Sequence, residues 1–239
     1  MLIEKTLPFL LILLALAGVF FAISCAEPKK EAKLKRELPP SYVKHPEWSR
    51  NASIYEVNVR QFTPEGTFAA FQEHLPRLKK MGVDILWLMP VHPIGEKNRK
   101  GSLGSYYSIR DYKGINPEFG TMEDFKTLVG AAHNEGMKVI LDWVASHTSW
   151  DHAWIDEHPD WYTRDSLGNI VSPFDWSDVA DLDYENKAVW GGMIDAMQFW
   201  LTEADIDGFR CDVAWNVTMD FWDSARVALD AVKPVFMLA

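Results

Sequence analysis

Cysteine is nearly absent: the 239 residues hold only Cys25 and Cys211. With no CxxC pair and no flanking histidines they offer no zinc signal. Cys211 stands in an apolar run and reads as an inert core residue rather than a nucleophile. Positive charge is also scarce. Twenty-four Lys and Arg against 34 Asp and Glu leave a net charge of −10, with no basic cluster in the body of the chain. That argues against a nucleic-acid partner, whose phosphates call for such clusters. No Gly-rich loop follows the first strand-like segment, which weakens a dinucleotide-binding reading. What remains is a globular composition, 48% hydrophobic and 24% charged, long enough for one large domain or two small ones. Aromatics are plentiful at 11 Trp, 7 Tyr and 13 Phe. They suit core packing, and equally the apolar faces of sugar rings.

The N-terminus reads as an export segment rather than part of the fold. From Leu7 to Ile23 the residues are apolar or small, broken only by Pro8. A core helix of this kind would show a polar face, and the length fits an export h-region or a short membrane span. The run closes with Phe21-Ala22-Ile23-Ser24-Cys25, which resembles a bacterial lipoprotein cleavage site with Cys25 as the lipidated residue. Residues 1–25 are therefore expected to be a lipoprotein-type signal, with an ordinary signal peptide or a retained anchor as alternatives. Lipidation predicts an exported, membrane-anchored protein, periplasmic or on a bacterial cell surface. It would also leave Cys211 without a disulfide partner in the chain. The charged, Pro-flanked residues 26–44 read as a tether.

The body, from residue 45, repeats one beat: an amphipathic helix, a Gly or turn, then a short apolar strand. Strands are expected over Ile54–Phe62, Val83–Met89, Lys138–Val144, Ile206–Ala214 and Pro234–Leu238. Helices are expected over Thr67–Met81, with Pro76 as a possible kink, from Thr121 to Gly136, and from Asn186 to Glu203. Strands this apolar, joined by helices, predict a parallel sheet. A doubly wound sheet and a (β/α)8 barrel both fit. Polar residues collect at the C-terminal strand ends (His92, Asp142, His147, Arg210 and Asp212), where a barrel places its chemistry. The stretch 148–185, rich in Trp, Asp and Pro, is too long for a simple connection and predicts an inserted lid or small subdomain.

Arg210 and Asp212 stand two apart on one expected strand, so their side chains share a face. An Arg beside a buried Asp favours the ionised carboxylate. Such an Asp can attack an anomeric carbon, although a structural ion pair is the commoner use of Arg-x-Asp.

Gly208-Phe209-Arg210-Cys211-Asp212-Val213-Ala214 resembles the nucleophile strand of glycoside hydrolase family 13, the α-amylase family. Asp142-Trp143-Val144-Ala145-Ser146-His147 resembles its strand-three motif. The run from Gly104 to Tyr112, continued through Gly114 to Thr121, resembles the loop after strand two, and Asp181-Leu182-Asp183 a short motif before the nucleophile strand. The likeness covers roughly residues 45–239, with the motifs in order. It implies the N-terminal portion, about five strands, of a (β/α)8 barrel with a small subdomain inserted after strand three. It further implies a retaining hydrolase or transglycosylase of α-1,4-glucans, needing no cofactor. Asp212 would be the nucleophile, and Arg210 would hold and polarise it. His147 would donate to sugar hydroxyls, Tyr107 would stack on the same glucose, and Asp142 would orient its neighbours. A non-catalytic surface glucan-binding protein and a sucrose- or trehalose-type transglucosidase are the rival readings.

Three departures qualify this resemblance. Ser146 stands where the family has an Asn that is often a calcium ligand, so calcium, with Asp181 as a second ligand, becomes doubtful. Trp215-Asn216 replace a frequent Lys-His on the leaving-group side, leaving acceptor preference open. The family's general acid is a Glu at the end of strand five, and here Ala239 is the last residue of that expected strand. A retaining glycosidase needs two carboxylates about 5 Å apart. The 239-residue polypeptide alone is therefore expected to show no hydrolysis of maltooligosaccharides in a reducing-end assay.

Overall fold

The computed structural model describes residues 44–239. The expected export segment, Cys25 and the tether up to residue 43 lie outside the described residues.

Strand β1 is Ile54–Val57. It is shorter than the expected Ile54–Phe62, because Val59–Phe62 turn into one helical turn. The neighbouring strand explains this. β2, Ile85–Leu88, stops before Pro90, and only four pairs form, Ile54↔Ile85 to Val57↔Leu88. The expected single helix over Thr67–Met81 is two: α1, Phe68–Gln72, and α2, Leu75–Lys80. Pro76 sits in the first turn of α2, where its missing N–H leaves no bond unmade. Helix α3, Met122–Asn134, opens with a capping box in which Thr121 and Asp124 satisfy each other's backbone N–H.

β3 covers the expected Lys138–Val144. An antiparallel ribbon follows, β4 (His147–Ser149) on β5 (Val179–Asp181), and forms the base of the 148–185 insertion. Helix α4, Lys187–Glu203, is capped by the Asn186 side chain. β6 is Gly208–Asp212, shorter than the expected Ile206–Ala214, and Ala214–Asn216 coil into a 3-10 turn. Helix α5, Met219–Asp230, escaped the sequence reading, although Phe221, Trp222, Ala225 and Leu229 carry a helical spacing. The last strand, β7, is Phe236–Leu238.

All five main strands are parallel in the order β1-β2-β3-β6-β7. The order advances in one direction, as in a (β/α)8 barrel, and does not double back as in a doubly wound sheet. Alternation divides the sheet into two unlike faces. Val57, Leu86, Leu88, Val139, Leu141, Trp143 and Phe209 are fully buried on the face covered by the helices. Each such side chain contributes about 1.5–3 kcal/mol of burial. The opposite face carries Glu56, Trp87 and Ile140 in one register row, then Asp142 beside Arg210, then Asp212. The expectation of strands buried on both faces holds for β3 and most of β2, where Ile85, Ile140, Asp142 and Val144 of the opposite face are also buried, and fails at the edge strands β1 and β7. Gly208 belongs to that inner row at φ 153°, and a Cβ there would lie 1.8 Å from the Phe236 carbonyl oxygen. A side chain at 208 would force β6 and β7 apart.

His92 departs from the group of strand-end polar residues. It is buried among Trp143, Trp200 and Tyr112, with ring centroids 5.5, 5.3 and 6.1 Å away, and neither nitrogen has a hydrogen-bond partner among the described residues. Burial, with some repulsion from His152, pushes its pKa from 6.5 down to about 3. Burial likewise lowers His152 to about 4. Between pH 6.5 and these values the unfolded chain binds protons that the native chain does not, so stability rises with pH across that window. Thermal melts are expected to fall as pH drops below 6.5. His92→Leu should make that fall shallower.

Candidate active site

β3 and β6 pair so that Asp142 lies opposite Arg210, and Val144 opposite Asp212. One guanidinium nitrogen, Arg210 Nη1, donates to both carboxylates: Asp142 Oδ1 at 3.0 Å, Asp142 Oδ2 at 3.1 Å and Asp212 Oδ1 at 2.7 Å. Two further donors converge on Asp142 Oδ2, Trp87 Nε1 at 3.0 Å and the Tyr107 hydroxyl at 3.3 Å. The Trp87 ring also lies under the guanidinium, 4.8 Å from Cζ. Asp142 is 0% exposed, and every one of these donors favours its ionised form.

Pairing alone would hold both carboxylates below their usual range. Burial outweighs it. Asp142 is pushed by burial from 3.8 up to about 6 against the pull of Arg210, and Asp212 is also raised by burial against Arg210 and the Val213 amide. The expected lowering by the adjacent cation is thus present but overruled. Burial and the two nearby carboxylates raise the Tyr107 phenol, which stays protonated and able to donate.

His147 is fixed by two partners. Its Nε2 is 3.1 Å from the Tyr107 carbonyl oxygen and its Nδ1 is 2.8 Å from Ser146 Oγ. A carbonyl only accepts, so Nε2 carries the proton. Burial lowers the ring to about 4, so at neutral pH Nδ1 accepts from the Ser146 hydroxyl. The Nε2 proton expected to serve sugar hydroxyls is here directed at the Tyr107 carbonyl. The turn bearing Ser146 and His147 is pinned from both sides. The Tyr112 hydroxyl lies 2.7 and 2.8 Å from the Val144 and His147 carbonyl oxygens, and Tyr184 donates to Ala145 O at 2.7 Å.

A cleft of about 340 Å³ opens over this group, lined by Lys100, Tyr107, His147, Trp176, Asp178 and Asp212, with Ser105, Val179 and Val213. Lys100 reaches Asp178 at 3.0 Å across its rim. The sequence-expected Asp212, Arg210, Asp142, Tyr107 and His147 are thus brought together. Asp181 pairs with His147 across the ribbon and is absent from the cleft lining. The residues present fit calcium poorly. Ser146 Oγ is engaged by His147, and the Asp181 carboxylate is bonded by Thr163. Calcium takes six to eight oxygens, and among the described residues no group of three or more His, Cys, Asp or Glu comes together for a metal. Sequence reasoning missed Trp87, Trp176, Lys100, Asp178 and the two tyrosine props. Traces were present: period two puts Trp87 on the inner face, Tyr112 closes the motif that starts at Gly104, and Trp176 and Asp178 lie in the expected insertion.

A one-directional parallel sheet with an ion-paired carboxylate cluster at the C-terminal strand ends defines a (β/α)-barrel protein with its chemistry at the barrel mouth. The sequence profile described as "Alpha amylase, catalytic domain" matches residues 49–178 and 161–231, and the chain belongs to that family. It is 32% identical, over 92% of its length and 36% of the relative's, to the α-1,4-glucan:maltose-1-phosphate maltosyltransferase of Rhodospirillum rubrum. It is 34% identical to α-amylase MalA of Haloarcula japonica, over 74% of this chain and 27% of that one. Among solved structures, an α-amylase from Lactobacillus plantarum superposes with a TM-score of 0.76 at 48% identity, covering 79% of this chain and 44% of that one. The chain thus spans less than half the length of these relatives.

The energetics of the shared cation are testable by urea unfolding. Arg210→Met leaves Asp142 buried and unpaired and is expected to cost about 3 kcal/mol. Trp87→Phe removes one hydrogen bond and is expected to cost about 1 kcal/mol.

Proposed function

We propose that the protein bearing this chain cleaves or transfers α-1,4-glucosidic bonds with retention, with Asp212 as nucleophile. The observation that carries this reading is the asymmetric holding of Asp212. Arg210 occupies its Oδ1, while the carboxylate faces a cleft walled by an aromatic ring, a phenol and a neutral histidine. Attack on the anomeric carbon would form a glycosyl ester as the bond to the leaving sugar oxygen breaks and a general acid protonates that oxygen; water or a sugar hydroxyl, losing its proton, would then displace the carboxylate. Arg210 would orient the carboxylate, Tyr107 would stack on the glucose beside it, and His147 would meet its hydroxyls on turning from the Tyr107 carbonyl. Asp142 is not the proton donor despite its raised pKa, because its oxygens are committed to Arg210, Trp87 and Tyr107 and it is sealed from the cleft. It acts by fixing Arg210.

The relatives named for maltosyl transfer and amylase activity support the α-glucan assignment and leave water and sugar both admissible as acceptors. A carboxylate held on one oxygen by Arg210 and facing a cleft also favours an enzyme over a passive glucan-binding protein. We further propose lipidation at Cys25 and attachment to a membrane surface. The support is the apolar run Leu7–Ile23 and the small residues before Cys25. Among the described residues, no helix is long and apolar enough to cross a membrane.

Incubating the full-length protein with 5-fluoro-α-glucosyl fluoride, which leaves without acid assistance, is expected to add one glycosyl mass to the peptide holding Asp212. Asp212→Asn should abolish both the label and at least about 10³-fold of turnover. A label on another carboxylate would refute the assignment.

A further inference from the structure

Residues 144–147 join β3 to β4 and deliver His147 to the cleft. All four are buried, so each backbone oxygen along the turn needs a donor. The Tyr112 hydroxyl, with one proton to share, lies 2.7 Å from Val144 O and 2.8 Å from His147 O. The Tyr184 hydroxyl donates to Ala145 O at 2.7 Å, and the Leu182 amide to Ser146 O at 3.1 Å. Every backbone oxygen of the turn therefore meets a donor from the protein itself.

The donors are themselves held. Tyr112 comes from the loop after β2 and Tyr184 from the exit of the insertion, so they reach the turn by separate paths. One helix fixes both. From α4, Trp200 Nε1 donates to Tyr112 O at 2.7 Å and Trp190 Nε1 to Tyr184 O at 2.9 Å. Ser146 adds a local bond, its Oγ 2.8 Å from His147 Nδ1, which sets the ring with Nε2 toward the Tyr107 carbonyl. Tyr112, Tyr184 and Ser146 are all buried, and none of them lines the cleft. They bond at the end of the central strand β3, away from the edge strands β1 and β7.

We propose that Tyr112, Tyr184 and Ser146 form a hydroxyl clamp that positions His147 for substrate, and that the clamp works without a divalent cation. His147 has this duty on the α-glucan reading of the cleft, on which the proposal rests. The clamp takes up the oxygens that a cation would draw on at this turn. Four carbonyls already face protein donors, Ser146 Oγ is engaged by His147, and the Asp181 carboxylate is bonded by Thr163. A calcium ion seeking six to eight oxygens here would displace O–H and N–H donors and leave them buried without partners. The three hydroxyl residues are positioning residues, since they act on the sugar only through the His147 ring.

The test uses the full-length protein, an aryl α-maltoside, and analogues that lack one hydroxyl on the sugar bonded to the aryl group. Thermal melts are run beside it in calcium chloride and in a chelator. Wild type is expected to melt at the same temperature and turn over at the same rate in both solutions. Tyr112→Phe, Tyr184→Phe and Ser146→Ala, each of which removes only a hydroxyl, are expected to lower kcat/KM for the maltoside about tenfold, as a small misplacement of a binding group does. That loss should vanish with the same deoxy analogue for which the loss caused by His147→Ala vanishes. A general loosening of the fold would lower all the analogues alike. Calcium should restore none of the loss. A wild type that melts lower in chelator, or a loss equal across the analogues, overturns the clamp while the assigned function stands. If wild type turns over neither the maltoside nor maltoheptaose, the function itself has failed and the role given to His147 falls with it.

Discussion

One nitrogen atom, Arg210 Nη1, ties together two carboxylates from neighbouring strands, and the inner face of the sheet is organised round it. A single cation shared in this way cannot fully neutralise two buried acids. The raised pKa values of both show the deficit. Trp87 and Tyr107 make up part of it by donating to Asp142. The arrangement depends on register: a slip of one residue between β3 and β6 would send Asp142 to the helix-covered face. Gly208 matters for the same reason, since it lets the strand beyond β6 approach closely.

Histidine 147 shows how a substituted position acquires a different physical use. The serine before it is a poor cation ligand, yet its hydroxyl is well placed to fix which ring nitrogen carries the proton. Tyr112 and Tyr184 then hold the turn at three carbonyls. Both phenols are wholly buried, which keeps them protonated and committed to donating.

The sequence made β3, α3 and α4 legible almost to the residue, because each has an unambiguous apolar period and a cap or glycine at its end. The strand boundaries at Phe62 and Ala214 were overestimated. Apolar residues recur there, Val59 and Phe62 after β1 and Val213-Ala214 after β6, but the partner strand does not continue, and pairing is a property of two segments. The carboxylates and Arg210 were legible because period-two spacing puts them on one face and because the surrounding motifs resemble a known family. Trp87, Trp176 and the tyrosine props were not. Their roles arise from segments far apart in the chain, Trp87 lying under Arg210, and nothing local distinguishes a tryptophan that supports a guanidinium from one that fills a core. The electrostatic balance was illegible for a related reason: spacing reveals the neighbour, whereas burial, which decides the direction, depends on everything packed around the pair.

The insertion has one further implication. Its two ends meet in the β4–β5 ribbon, where His147 faces Asp181, so the excursion leaves and rejoins the barrel at a single place. Its base is anchored by Trp161, which packs on Gly192 so closely that a Cβ there would lie 2.6 Å from the ring. Its tip, round Leu167 and Gly168, touches little and is largely exposed. Loop-closure entropy grows only with the logarithm of length, about 0.6 kcal/mol for each doubling. Descendants of this protein could therefore lengthen or shorten the tip by many residues at small thermodynamic penalty. The carboxylates and their arginine would stay where they are, so the surroundings of the cleft could diverge while the ion-paired cluster at its floor is inherited unchanged.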